Sequence, residues 1–178
     1  MEKNRNSVYE MVFVAFVTAV TCVVAPFSIQ IGPVPISFTN FIIYLSLYLL
    51  GWKKGVISYL LYLVIGMIGI PVFSGFGAGL GKVAGPTGGY LIGFIFMAVI
   101  SGICIEKFSK STVLQIIGMI VGTVVCYLFG TIWLAYQAGM SFYAALAAGV
   151  LPFIIGDFIK IIVSAMLGPI LRKSVKHA

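Results

Sequence analysis

Residues 36–71 read ISFTNFIIYLSLYLLGWKKGVISYLLYLVIGMIGIP. Each apolar half is short, and alone it would pass for a buried helix of a soluble domain. The fold turns on the five residues between them, Gly51-Trp52-Lys53-Lys54-Gly55. Two lysines and a tryptophan in a tight connection are what a chain presents at a membrane surface, where the indole sits at headgroup level and the ammonium groups reach water. The stretch therefore predicts a helical hairpin of two membrane segments, 36–51 and 55–71, joined by a compact charged turn.

Working outward, the same alternation recurs. A span needs about 20 apolar residues to cross about 30 Å of hydrocarbon, and further runs fall at 8–26, 87–105, 112–136 and 143–171. The last contains Pro152, which predicts a kink or break there. Of the 178 residues, 61% are hydrophobic and 8% charged, with a mean hydropathy of +1.17. That excludes an ordinary soluble domain. The expected fold is an all-α integral membrane protein, one membrane domain over 1–178 with six transmembrane helices.

Orientation follows from the charges. Nine of the eleven Lys and Arg residues lie at the start of the chain, in the 2–3 and 4–5 turns, and at the end. Positive residues favour the cytoplasmic side, so both termini are expected inside. The net charge of +7 belongs to helix ends facing anionic headgroups, not to a nucleic-acid surface. Val8 to Phe27 carries no small-x-small cleavage site, and reads as a retained first helix. Cys22, Cys104 and Cys126 show no metal-binding spacing and read as packing residues.

The two informative outer connections are 25–40, APFSIQIGPVPISFTN, and 69–90, GIPVFSGFGAGLGKVAGPTGGY. The second holds seven glycines and Lys82 within 75–89. It is no Walker A loop, because Phe76 stands where the first glycine belongs and Val83 where the hydroxyl belongs. Both connections are too apolar to be freely solvated. They are expected to fold back onto the bundle as structured loops and cap a pocket, since irregular backbone near membrane depth must be buried in protein or line a cavity.

Asp157 and Lys160 lie inside the last apolar run at i and i+3, on one helix face. Insertion scales put the cost of each at about 2.5–3.5 kcal/mol at a helix centre, so such a pair reads as functional, the alternative being a structural pair that pins packing. An acceptor beside a donor suits a small ligand with both amide-like edges. Lys82 is the one charge in the outer connections, a solvated lysine or a partner for an anion. Asn40, Gln30, Thr87 and Tyr90 end outer segments as caps, interfacial anchors or ligand contacts. Phe73 and Phe76 are core or pocket wall. Ala15-x-x-x-Ala19 lets another helix approach closely, inside the chain or outside it. Enzyme readings fail for want of parts. A second intramembrane aspartate, a buried histidine and an HExxH motif are all missing, and the sole histidine is His177.

Three segments then carry a resemblance: IGPVPISFTN, GMIGIPVFSGFGAGLGKVAGPTGGYLIGF and LPFIIGDFIK. In order and spacing they resemble the BioY family, the biotin-binding S components of energy-coupling factor transporters, over nearly the whole chain. The resemblance implies biotin captured from outside, at a bacterial or archaeal plasma membrane. It also implies partnership with a transmembrane T subunit and two cytoplasmic ATPases, although members without a dedicated coupling module occur. No cofactor is expected, and Ala15 and Ala19 resemble the docking surface for the T subunit. By shape, Asp157 would accept a ureido N–H, and Lys160 would donate to the ureido carbonyl or orient Asp157. Lys82, or the backbone and hydroxyl around Gly85 to Tyr90, would hold the carboxylate, and Phe73, Phe76 and Tyr90 would pack on the bicyclic ring. Two readings stand beside it: an S component for a different vitamin, and a membrane enzyme using Asp157 and Lys160.

Overall fold

Two GxxxG spacings, Gly89 to Gly93 and Gly118 to Gly122, build the most extensive helix pair of the molecule. They lie on α5 (Gly88–Lys107) and α6 (Thr112–Ala138). Gly118 faces Cys104 and Gly122 faces Ser101 so closely that a β-carbon would collide, and Gly93 packs tightly on Cys126. Lipid tails are as apolar as leucine, so helices in a bilayer associate through this kind of close packing. Cys104 and Cys126 thus serve as packing residues, and the three cysteines are free thiols.

The structure is a computed structural model that describes residues 2–176; the side chains at 2–7, 31, 175 and 176 and all of His177 lie outside the described residues. Along the chain, α1 (Glu2–Val24) leads into a hairpin of β1 (Ser28–Ile31) and β2 (Val34–Ser37), followed by α2 (Thr39–Leu50) and α3 (Trp52–Met67). A 3-10 turn (Ser74–Phe76) and α4 (Leu80–Ala84) then precede α5 and α6. The chain closes with α7 (Phe142–Gly149) and α8 (Ile154–Lys176). α2 is central and touches α1, α3, α5 and α8. The core holds Tyr44, Tyr59, Tyr62, Met97 and Met119, all fully buried.

Hydrogen bonds between helices supplement the packing. Thr18 and Ser58 join α1 to α3 at 2.9 Å, and the Tyr59 hydroxyl donates to the Leu91 carbonyl at 2.8 Å. Outward, α6 shows Val121, Val124, Leu128 and Ile132, and α8 shows Ile155, Ile159 and Met166, all exposed. These faces suit lipid.

Several expected boundaries move. The charged turn shrinks to one residue, Gly51, at φ 78°; Trp52, Lys53 and Lys54 already belong to α3. Glu106 makes this possible, because its Oε1 accepts the Trp52 backbone N–H at 2.9 Å and satisfies a free donor at the helix start. Residues 36 and 37 are strand, so the fold is helical with one β-hairpin rather than all-α. Among the described residues, three helices are long and apolar enough to cross a membrane: Gly88–Lys107, Thr112–Ala138 and Ile154–Ser174. Val8–Val24 and Thr39–Leu50 are shorter apolar helices. The twelve residues of α2 reach only about 18 Å at 1.5 Å each.

Candidate functional site

The site begins with a helix break. Pro152 has no N–H to continue α7, and the chain turns through Leu151 to Phe153 before α8 starts. The break expected at Pro152 is present, and Asp157 therefore sits in the first turn of α8. The positive end of the helix dipole favours its carboxylate there. It is 8% exposed.

Lys160, one turn on, is a hub. Its Nζ donates to Asp157 Oδ1 at 3.0 Å, to the Ser37 carbonyl at 2.7 Å and to Asn40 Oδ1 at 3.1 Å. It also lies 5.9 Å from the centre of the Phe38 ring. An ammonium has three donors, and here each has an acceptor. One side chain thus ties α8 to the end of β2 and the start of α2. The Asn40 oxygen also accepts the Phe41 N–H at 3.1 Å, which leaves the amide NH₂ as the group that Asn40 can offer. On the other side of Asp157, the Tyr127 hydroxyl of α6 donates to Oδ2 at 2.6 Å.

These groups face a cavity with about 670 Å³ of empty volume, its open mouth included. Asp157, Lys160, Asn40, Lys82, Thr87, Tyr90 and Phe73 all line it. Phe76 does not. It is 59% exposed and packs edge-on to Phe27 at 5.6 Å. Gln30 is exposed and donates to the Gly32 carbonyl.

The individual placements differ in kind. Phe73 is fully buried against Gly66 and stacks edge-on to Tyr62 at 5.6 Å. Tyr90 donates its hydroxyl to the Gly149 carbonyl at 2.9 Å, so it walls the cavity with its hydrogen already committed. Thr87 stands at the N-cap of α5 without a side-chain capping bond. The stem of Lys82 lies across Gly77. Among the described residues the ion pairs are Lys54–Glu10 and Lys160–Asp157, and Lys82 takes part in neither.

The glycine-rich connection is tied to the bundle by hydrogen bonds. Gly75 N donates to the Pro26 carbonyl at 2.9 Å and Gly79 N to the Gly66 carbonyl at 2.8 Å. Trp133 Nε1 donates to the Gly85 carbonyl at 2.9 Å, and Gln137 to that of Ala84. The β-hairpin supplies the facing wall through Val34, Pro35 and Ser37. Ala15 and Ala19 are both exposed on α1, whose Val14, Val17 and Thr18 face the bundle.

Sequence reasoning missed Tyr127, Thr123, Phe94 and Phe153, which also line the cavity. A tyrosine in an apolar run looks like any core aromatic, and 30 residues separate Tyr127 from Asp157. One retrievable signal existed: a buried carboxylate needs further donors than a single lysine.

The BioY family model matches residues 1–177. The chain belongs to the BioY family. A BioY relative from Pyrococcus horikoshii, named a probable biotin transporter, is 42% identical over 151 residues, covering 85% of this chain and 88% of its own. The biotin transporter BioY of Thermotoga maritima is 36% identical over 156 residues, covering 88% and 91%. A crystal structure described as the S-component for biotin from an ECF-type ABC transporter superposes with a TM-score of 0.86 at 31% identity. That match covers 96% of this chain and 94% of that one.

Proposed function

We propose that this chain is a multi-pass protein of a prokaryotic plasma membrane that takes up biotin as the S component of an energy-coupling factor transporter. The observation that carries the reading is the Asp157–Lys160–Asn40 network on the wall of a cavity between the helices and the outer connections, in a chain of the BioY family. The relatives are transporters, so Asp157 and Lys160 are read as binding groups rather than catalysts.

Within that reading the ligand chemistry divides among the residues. Each oxygen of Asp157 holds one hydrogen bond and keeps capacity for a ureido N–H. Lys160 has its donors engaged, so it orients Asp157, and the Asn40 NH₂ is the group best placed to meet the ureido carbonyl. Lys82, with Thr87 beside it on the wall, receives the valerate carboxylate. Phe73, Tyr90, Phe94 and Phe153 enclose the bicyclic ring.

The chain forms one membrane domain of six segments with both termini cytoplasmic. This rests on the charge alternation, with α7 and α8 counted as one segment. The reach missing from α2 is made up by the β-hairpin and its connection. A T subunit docks on the exposed Ala15 and Ala19 of α1, and two ATPases complete the transporter. Biotin itself is the substrate, and no cofactor enters the scheme. Titrating purified protein with biotin tests the reading. Stoichiometric binding is expected, and its absence would remove biotin as the ligand.

A further inference from the structure

A second space lies between α6, α7 and α8, a cleft with about 1050 Å³ of empty volume, its open side included. Its walls are mainly apolar, among them Ile120, Leu146 and Ile161. It opens past Val124, Leu128, Ile154 and Phe158, which are exposed. On helices that span a membrane, such an opening faces hydrocarbon.

Three residues line both this cleft and the vitamin cavity: Thr123, Tyr127 and Asp157. Thr123 is held elsewhere, for its hydroxyl donates to the Met119 carbonyl at 2.7 Å and lies 2.6 Å from that of Tyr44. The partition between the two spaces is therefore Tyr127 joined to Asp157 at 2.6 Å. A carboxylate beside an apolar cleft is costly unless its oxygens are paired. Lys160 holds Oδ1, and Oδ2 depends on Tyr127.

We propose that Tyr127 is a positioning and specificity-determining residue. Its hydroxyl fixes the Asp157 carboxylate toward the vitamin cavity, and its ring seals that cavity from acyl chains in the cleft. The first role rests on the biotin reading; the seal does not. Tyr127→Phe keeps the ring and removes the hydrogen bond, whereas Tyr127→Ala removes both, so the two roles separate.

Biotin affinity is measured by titration in detergent and in phosphatidylcholine nanodiscs. Tyr127→Phe weakens binding by about tenfold in both media, and this loss disappears in an Asp157→Asn background, because the hydroxyl acts only through the carboxylate. Wild-type affinity in Tyr127→Phe, or an undiminished loss beside Asp157→Asn, overturns the positioning role. Tyr127→Ala weakens binding further, and more in nanodiscs than in detergent. The seal has a readout of its own. In a Cys22→Ser, Cys104→Ser chain in phosphatidylcholine vesicles, the membrane-soluble reagent N-pyrenylmaleimide reaches Cys126, on the wall of the vitamin cavity, severalfold faster when Tyr127→Ala is added. Equal labelling rates overturn the seal. Failure of the wild-type chain to bind biotin would sink the biotin reading and the positioning role together, while the labelling rates would still decide the partition.

Discussion

Lys160 donates three hydrogen bonds to three different elements of the chain, so its removal strips Asp157 of a counter-charge and frees the Ser37 carbonyl and the Asn40 oxygen together. Breaking one partner of a buried, hydrogen-bonded charge pair costs at least about 2 kcal/mol. Asp157→Asn and Lys160→Met are each expected to weaken biotin binding by about 30-fold or more, measured by titration in detergent. Wild-type affinity in both variants would place the ligand elsewhere. Lys82 is tested with two ligands. Lys82→Ala weakens biotin by about tenfold and leaves a biotin amide unchanged, because only biotin presents a carboxylate to the ammonium. Equal losses for the two would free Lys82 of that role. The Asp157–Lys160 pair was legible from sequence because i and i+3 share a helix face and charge inside an apolar run stands out. Tyr127 and Ser37 were not, since their contacts span 30 and 123 residues and one of them is a backbone carbonyl.

At the scale of elements, the stretch 51–55 shows what composition carries and what it omits. A break between two short helices was legible in the glycine and the lysines. That the break is a single residue was not, because it depends on Glu106 arriving from α5 to cap the start of α3. Gly51 has φ 78°, and a β-carbon there would meet the Glu106 carboxylate. Gly51→Ala and Glu106→Ala are each expected to cost about 1 kcal/mol, read as a lower Tm in detergent, with Glu106→Gln milder because it keeps an acceptor. The two losses should add to less than their sum, since they remove one contact. Full additivity would show the cap and the turn to be independent. The break at Pro152 was likewise legible, but its consequence, Asp157 at a helix start, required the three-dimensional path. The β-hairpin was hidden by its own Pro33 and Pro35, residues that argue against a strand. Pro35 is tolerated because a two-stranded ribbon consists of edges.

For the whole molecule, the proposed docking face and the proposed binding cavity are separate in the chain and in space. Ala15 and Ala19 lie on the exposed side of α1, and neither lines the cavity. Ala15→Trp and Ala19→Trp are therefore expected to abolish co-purification with a tagged T subunit while leaving biotin affinity intact. Retention of the complex would move docking to another surface. The proposal on which the others rest is that the cavity walled by α2, α5, α6, α8 and the two outer connections holds biotin through Asp157. It is tested most directly by incubating purified protein with biotin, removing the excess and weighing what remains bound by mass spectrometry. One chemically unchanged biotin per chain is expected, with a marked loss in Asp157→Asn. A wild-type chain that retains no biotin, or returns it altered, would contradict it.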